Sequence, residues 1–264
     1  MAQPIVTLTT DFGLADHYVG AMKGVILGIC PSAQIVDISH EVGAYSIATG
    51  AYLIAQAYAA FPRGTVHVVV VDPGVGTERR PILAEADRQL FVAPDNGVLG
   101  MMLSREKHRV RAIINDRYFR KPVSRTFHGR DIFAPVAAHL AAGLGAPKLG
   151  PAIDDWVRPD FADPGQERPA TWAGSVLHVD RFGNVVTNFQ VADFPGLASR
   201  PFAVLAGRRR IRKLARNYQE GSAGELFAIV GSGGFLEISI NQASAAKITG
   251  LREGSRVRLT LRRA

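Results

Sequence analysis

Four consecutive valines, Val68 to Val71, constrain the fold of this chain more than any other stretch. A continuous β-branched run reads as a strand buried on both faces, the mark of a parallel sheet covered by helices. Asp72 follows at the strand's carboxyl end, and Pro73, Gly74 and Gly76 turn the chain directly after it. Ligands of open α/β sheets bind in the crevice at the carboxyl ends of the strands. A carboxylate therefore stands where a ligand would lie, with Arg79 a short loop away. On this stretch alone two readings stay open: a functional carboxylate, or an aspartate that caps its own turn.

The flanking sequence extends the pattern. Ile5 to Thr9 and Gln34 to Ile38 read as strands, Tyr18 to Ile29 as a helix that stops at Pro31, and Val42 to Phe61 as a buried, alanine-rich helix. Ile82 to Ala86 and Leu90 to Ala93 form a further strand pair, and Ile132 to Ala142 another helix. Alternating strands and helices predict an α/β unit with a largely parallel sheet over residues 1–160. From Gly150 to Pro169 prolines mix with acidic residues, which predicts a linker. Beyond Thr171 the chain turns to short strands and glycine turns, which predicts a smaller all-β, barrel-like domain over residues 171–264.

Composition excludes several classes. The 264-residue chain has one cysteine, Cys30, so neither a disulfide framework nor a cysteine-built metal site forms within it. That suits a cytoplasmic setting, and the opening residues lack the basic-then-apolar pattern of a signal peptide. The uncharged stretch from Val42 to Phe61 is long enough to span a bilayer, but Tyr45, Ser46, Thr49, Tyr52, Gln56 and Tyr58 make it too polar. Net charge is +8, and its densest cluster is Arg208, Arg209, Arg210, Arg212, Lys213 and Arg216. The cluster has no interleaved aromatic residues and no nucleic-acid-binding motif, so a solvated hairpin or loop is the expectation, without nucleic acid or membrane as partner.

Polar residues gather at predicted strand ends and turns: Asp11, Asp16 and His17, His40, Asp72, Asp95 and Asn96. A parallel sheet would bring them to one edge, where carboxylates suit acid–base work, a divalent metal or the hydroxyls of a ribose. Asp16 can equally cap the helix that begins at Tyr18. The histidines show no metal-binding spacing, so no metal is expected. His67 and His178 lie in strands as packed or surface residues, whereas His128 stands before Gly129, Arg130 and Asp131 at a helix start. In the second domain Asp180–Asn184 and Gly231–Phe235 are turns that each carry an aromatic ring, suited to packing or to stacking a flat ligand.

Seven motifs in order, Thr9–Gly13, Asp37–His40, Val71–Gly76, Ala93–Gly97, Thr126–Asp131, Asp180–Asn184 and Ser239–Gln242, resemble the S-adenosyl-L-methionine hydroxide adenosyltransferase family, relatives of the fluorinases and chlorinases. The resemblance implies hydrolysis of S-adenosylmethionine (SAM) to adenosine and methionine, without a further cofactor. It implies a set of Asp72, Arg79 and His128 at the reacting centre and Asp11 on the ribose, with Tyr45 among the substrate-binding residues. Asp180 and Ser232 would hold the methionine end, and Phe182, Asn184 and Asn241 the adenine. It also implies a homotrimer whose sites lie between subunits. Halogenases are similar but have tyrosine in place of both Asp72 and His128. A carboxylate there repels halide, so the residues favour water as the nucleophile.

Overall fold

The structure is a computed structural model that describes residues 3–261; Met1, Ala2 and residues 262–264, and so the first residues of the predicted leader-free start, lie outside the described residues. Its contacts divide the chain into two units, residues 1–159 and 160–264.

The first unit opens with β1 (Ile5–Thr10), α1 (Tyr18–Ile29), β2 (Gln34–Ser39), α2 (Ile47–Ala57) and β3 (Val66–Val70). β4 (Pro81–Ala86), β5 (Gln89–Pro94), α3 (Gly100–Leu103), β6 (His108–Ala112), α4 (Ala134–Ala141) and β7 (Ala152–Ile153) follow. The sheet runs β2-β1-β3-β5-β4-β6-β7. Its first four strands are parallel, and β4, β6 and β7 continue it antiparallel. The valine run is buried on both faces as its composition requires. Val68 and Val70 pack with Met22, Ile26 and the α4 residues, and Val69 and Val71 pack with Ile54, Phe91 and Val98 on the other side. α2 lies so close that a Cβ on Gly50 would stand 2.9 Å from Val71 Cγ2.

β1 lies between β2 and β3, the two strands that follow it in the βαβαβ path, so the chain switches direction across the sheet at β1/β3. That switch opens a crevice outside the carboxyl ends of the two strands. Asp11 follows β1 and Asp72 follows β3. Two local expectations change. The alanine-rich helix begins only at Ile47, because Tyr45 takes a left-handed backbone (φ 65°) and the preceding stretch is loop. α1 is preceded by His17 without any side-chain cap, so Asp16 does not cap it.

Segment 150–169 is less of a linker than its prolines suggest. Ala152–Ile153 completes the first sheet, Trp156 is buried, and Pro159 packs on Gly97 and Gly100. Its later part forms β8 (Gly165–Arg168) of the second unit. That unit continues with β9 (Thr171–Val179), β10 (Val185–Gln190), β11 (Phe202–Ala206), β12 (Arg209–Ile211) and β13 (Leu214–Ala215). β14 (Leu226–Val230), β15 (Phe235–Ile240), α5 (Ala245–Thr249) and β16 (Arg256–Leu261) complete it. The path β12-β11-β16-β9-β10-β15-β14-β13 curls, since its two edge strands are consecutive in sequence. Leu236, Ile238 and Ile240 face the inner core with Val185, Val204 and Leu259. The arginine cluster is a hairpin: β12 pairs with β11, with Arg208, Arg209, Arg210 and Arg212 exposed. Among the described residues no helix is long and apolar enough to cross a membrane.

Candidate active site

A cavity of about 270 Å³ opens at the β1/β3 switch, lined by Asp11, Tyr45, Asp72 and His128 among polar groups and by Phe12, Tyr18, Val75 and Phe127. The Asp72 side chain does not cap its turn. Arg79 Nε donates to both Asp72 oxygens (2.9 and 3.0 Å), and Arg79 Nη2 donates to Oδ2. Both partners are largely buried, a paired geometry that holds a guanidinium and a carboxylate in one plane. Gly76 lets this loop close: at φ 78° its hydrogen occupies space where a Cβ would fall 2.2 Å from the Arg125 carbonyl.

Arg79 Nη2 also approaches His128 Nδ1 at 2.9 Å. A guanidinium cannot accept, so Nδ1 is the acceptor and neutral His128 carries its proton on Nε2. His128 precedes a π-helical turn, Gly129–Phe133, that runs into α4. Such turns leave a backbone irregularity that redirects side chains. Burial first, then the Arg79 charge, hold the His128 imidazole below its ordinary pKa, against Asp72 and Asp131. Arg79 Nη1 is buried and, among the described residues, has no hydrogen-bond partner. Of the three side chains, Asp72 and His128 line the cavity and Arg79 lies behind them, so the Asp72 oxygens keep lone pairs for a ligand.

Asp11 accepts from the Tyr45 backbone N–H at 2.9 Å, which accounts for the unusual backbone there. Burial pushes its carboxyl pKa up, partly offset by that bond. The Tyr45 ring is 72% exposed beside the cavity. Phe12, Tyr18 and Phe127 form an aromatic group with centroids 5.0–5.9 Å apart. The other strand-end residues go elsewhere. His40 is buried against Thr10, Asp95 takes Arg80 and the Val157 N–H, and Asn96 donates to the Val71 carbonyl. They hold the strand ends rather than line the cavity.

The second unit has its own cavity of about 710 Å³, lined by Asp180, Phe182, Asn184, Tyr218, Asn241 and Ser244 among others. Asp180 Oδ1 accepts from the N–H groups of Phe182 and Asn184, and Oδ2 from Asn184 Nδ2. Those bonds fix the turn and leave Phe182 78% exposed at its tip, placed to stack rather than to pack. Asn241 Nδ2 donates to the Gly221 carbonyl. Ser232 is exposed on the turn between β14 and β15 and is not part of the cavity lining. Sequence reasoning missed Glu237. It is buried, no described residue hydrogen-bonds its carboxyl, and burial together with Asp180 pushes its pKa up. A Cβ on Gly231 would meet its Oε1 at 1.8 Å. The available signal was a lone acid inside the otherwise uncharged strand Phe235–Ile240.

Fold and site define a class: an α/β protein with a charged set at the switch point of its parallel strands, followed by an all-β unit whose cavity bears an aspartate and an exposed ring. Residues 6–150 match the family model of the SAM hydroxide adenosyltransferase N-terminal domain, and residues 174–258 match that of the C-terminal domain. The chain belongs to the SAM hydroxide adenosyltransferase family. It is 37% identical to the (R)-S-adenosyl-L-methionine hydrolase of Salinispora tropica, over 97% of this chain and 98% of the relative. It is 36% identical to the enzyme of that name from Thermus thermophilus, over 96% and 98%. A fluorinase from Nocardia brasiliensis is more distant, 27% identical over 97% of each chain. The crystal structure of an uncharacterized conserved protein from Thermotoga maritima superposes with a TM-score of 0.86 at 39% identity, over 97% of this chain and 99% of that one.

Proposed function

We propose that this protein hydrolyses S-adenosyl-L-methionine to adenosine and L-methionine by in-line displacement at the ribose C5′. The observation that carries the reading is the Asp72–Arg79–His128 set in a cavity that also holds Asp11. Asp11 takes the ribose hydroxyls, with Tyr45 over the sugar face. The rings of Phe12, Tyr18 and Phe127 offer π faces to the sulfonium. Asp180, Asn184, Phe182 and Asn241 receive the adenine and methionine ends. Ser232 joins Asp180 at the methionine end, and Glu237, close enough to feel the Asp180 charge, adds a second carboxyl for the substrate's ammonium.

The leaving group departs as a neutral thioether, so it needs no acid; the difficulty lies with the nucleophile. The attacking water sits against the Asp72 carboxylate at the cavity wall, and its proton goes to Asp72. Of the three side chains only Asp72 has lone pairs to spare, since Arg79 cannot accept and His128 Nδ1 already accepts from Arg79. The water oxygen bonds to C5′ as the C5′–S bond breaks, and its electron pair stays on sulfur. The guanidinium steadies developing hydroxide, and the Asp72 carboxylate disfavours halide. The working assembly is a homotrimer in the cytoplasm, with sites completed by neighbouring subunits.

Incubation with each sulfonium epimer of S-adenosylmethionine in chloride-free, metal-chelated buffer made with ¹⁸O water tests this. Adenosine labelled at its 5′ oxygen, with free methionine, is the expected result. A tight complex without turnover would point instead to a sensor, and a halogenated nucleoside on addition of halide to a halogenase.

A further inference from the structure

The Thr126–Asp131 motif contains one buried acid to which the proposed chemistry gives no task. Asp131 is fully buried on the π-turn that begins after His128. Its Oδ1 accepts from Arg130 Nε (2.7 Å) and Arg120 Nη1 (3.3 Å), and its Oδ2 from Arg130 Nη2 (3.0 Å) and the Ser124 backbone N–H (2.8 Å). Its own carbonyl accepts from the Arg120 N–H at 2.9 Å. A carboxylate this deep is expensive unless its lone pairs are filled, and these four donors fill them. Their effect is to tie the strap 120–125 onto the helix start.

The strap bears on both halves of the reacting set. The Ser124 backbone lies close enough to the His128 imidazole to favour its charged form, while the Arg125 carbonyl occupies the space left by Gly76 in the loop that carries Arg79. Arg130 also stacks on Phe127, with Cζ 5.1 Å from the ring centre. One buried acid therefore clamps a segment that sets the imidazole on one side and the guanidinium loop on the other.

We propose that Asp131 is the positioning residue of the Asp72–Arg79–His128 set, acting through Ser124 and Arg125 to hold neutral His128 with Nδ1 toward Arg79. The assignment rests on the hydrolase reading for its kinetic consequences, but not for its structural ones. The charged groups that face the imidazole are Arg79 and Asp72, from the loop after β3, and Asp131 with its partners Arg120 and Arg130; α1 brings uncharged Met22 against the neighbouring Gly129. Asp131 is one of the two acids that favour a charged imidazole, and removing it leaves two arginines uncompensated.

Asp131→Asn keeps the volume and one acceptor, so it separates charge and clamping from bulk. We expect kcat to fall between about tenfold and a hundredfold with KM within about threefold, because the set is misplaced while substrate contacts remain. The acid limb of the kcat profile should move to lower pH. Heteronuclear NMR of ¹⁵N-histidine-labelled protein should show the Nε2–H tautomer for His128 in the wild type and a mixture of tautomers in the variant. A folded Asp131→Asn protein with unchanged kcat, acid limb and tautomer would overturn the assignment. So would a wild-type His128 that is Nδ1–H or charged at pH 7, whatever the variant does. Should the wild type release no adenosine, the hydrolase reading falls, and the NMR comparison still decides the role of Asp131.

Discussion

A planar guanidinium can donate to a carboxylate and an imidazole at once, and Arg79 does so with Asp72 and His128. Lysine carries the same charge as a single point and cannot span both. Arg79→Lys should therefore lower kcat by about a hundredfold or more with a modest change in KM, as measured by adenosine release. His128 supplies a second residue-level test. Burial and Arg79 hold its pKa below 6.5, so the neutral form required here persists to mildly acidic pH. The acid limb of kcat/KM should fall below pH 6.5, and His128→Ala should cost roughly 10²-fold in kcat, because Arg79 loses an acceptor that places it, while calorimetric substrate affinity is largely kept. An acid limb that survives in His128→Ala would show that another group controls it.

At the scale of the element, β3 carries both the approach to Asp72 and a buried histidine with no functional task. Thr7 Oγ1 donates to His67 Nδ1 at 2.7 Å, Nε2–H donates to Gln89, and the ring stacks on Phe91. Burial lowers its pKa from 6.5 to about 4. Between those values the unfolded chain binds a proton that the folded one refuses, so stability is full above pH 6.5 and declines as pH drops toward 4. The loss is roughly 3 kcal/mol for this group. Urea midpoints at pH 7 and pH 4.5 should show the decline, and His67→Gln should flatten it. The same elements explain which local expectations moved. Hydrophobic spacing located α1, β3 and α4, because each buries an apolar stripe. It placed the start of α2 too early, because the Tyr45 backbone is recruited by Asp11, 34 residues earlier in the chain.

At the scale of the whole molecule, the first unit carries the Asp72–Arg79–His128 set and the second a cavity with Asp180 and an exposed ring. The proposed trimer makes the two complementary across subunits. Asp72→Asn and Asn184→Ala should each be nearly inactive alone, yet co-expressed they should recover activity at least about tenfold above either, because some sites then combine two intact halves. Sedimentation should report a trimer for all three preparations. Absence of recovery from a mixed trimer would mean that each site is built within one chain.

The sequence by itself determined the strands, the helices and the carboxylate at the end of the valine run, since these depend on local spacing and on burial of both sheet faces. Its motifs also carried the family, and with it Asp11, Asp72 and His128, which the fold brings to one cavity, and Arg79, which bonds to two of them. Only the tertiary structure decided which strand-end polar residues serve that cavity. Asp95, Asn96 and His40 read like Asp72 in sequence, but their partners lie on other elements: Arg80, the Val71 carbonyl and Thr10. The same holds for the His128 tautomer, the buried Arg79 donor, and the buried acids Asp131 and Glu237. A side chain's hydrogen-bond partners and its burial are set by segments distant in sequence, and no local pattern encodes them.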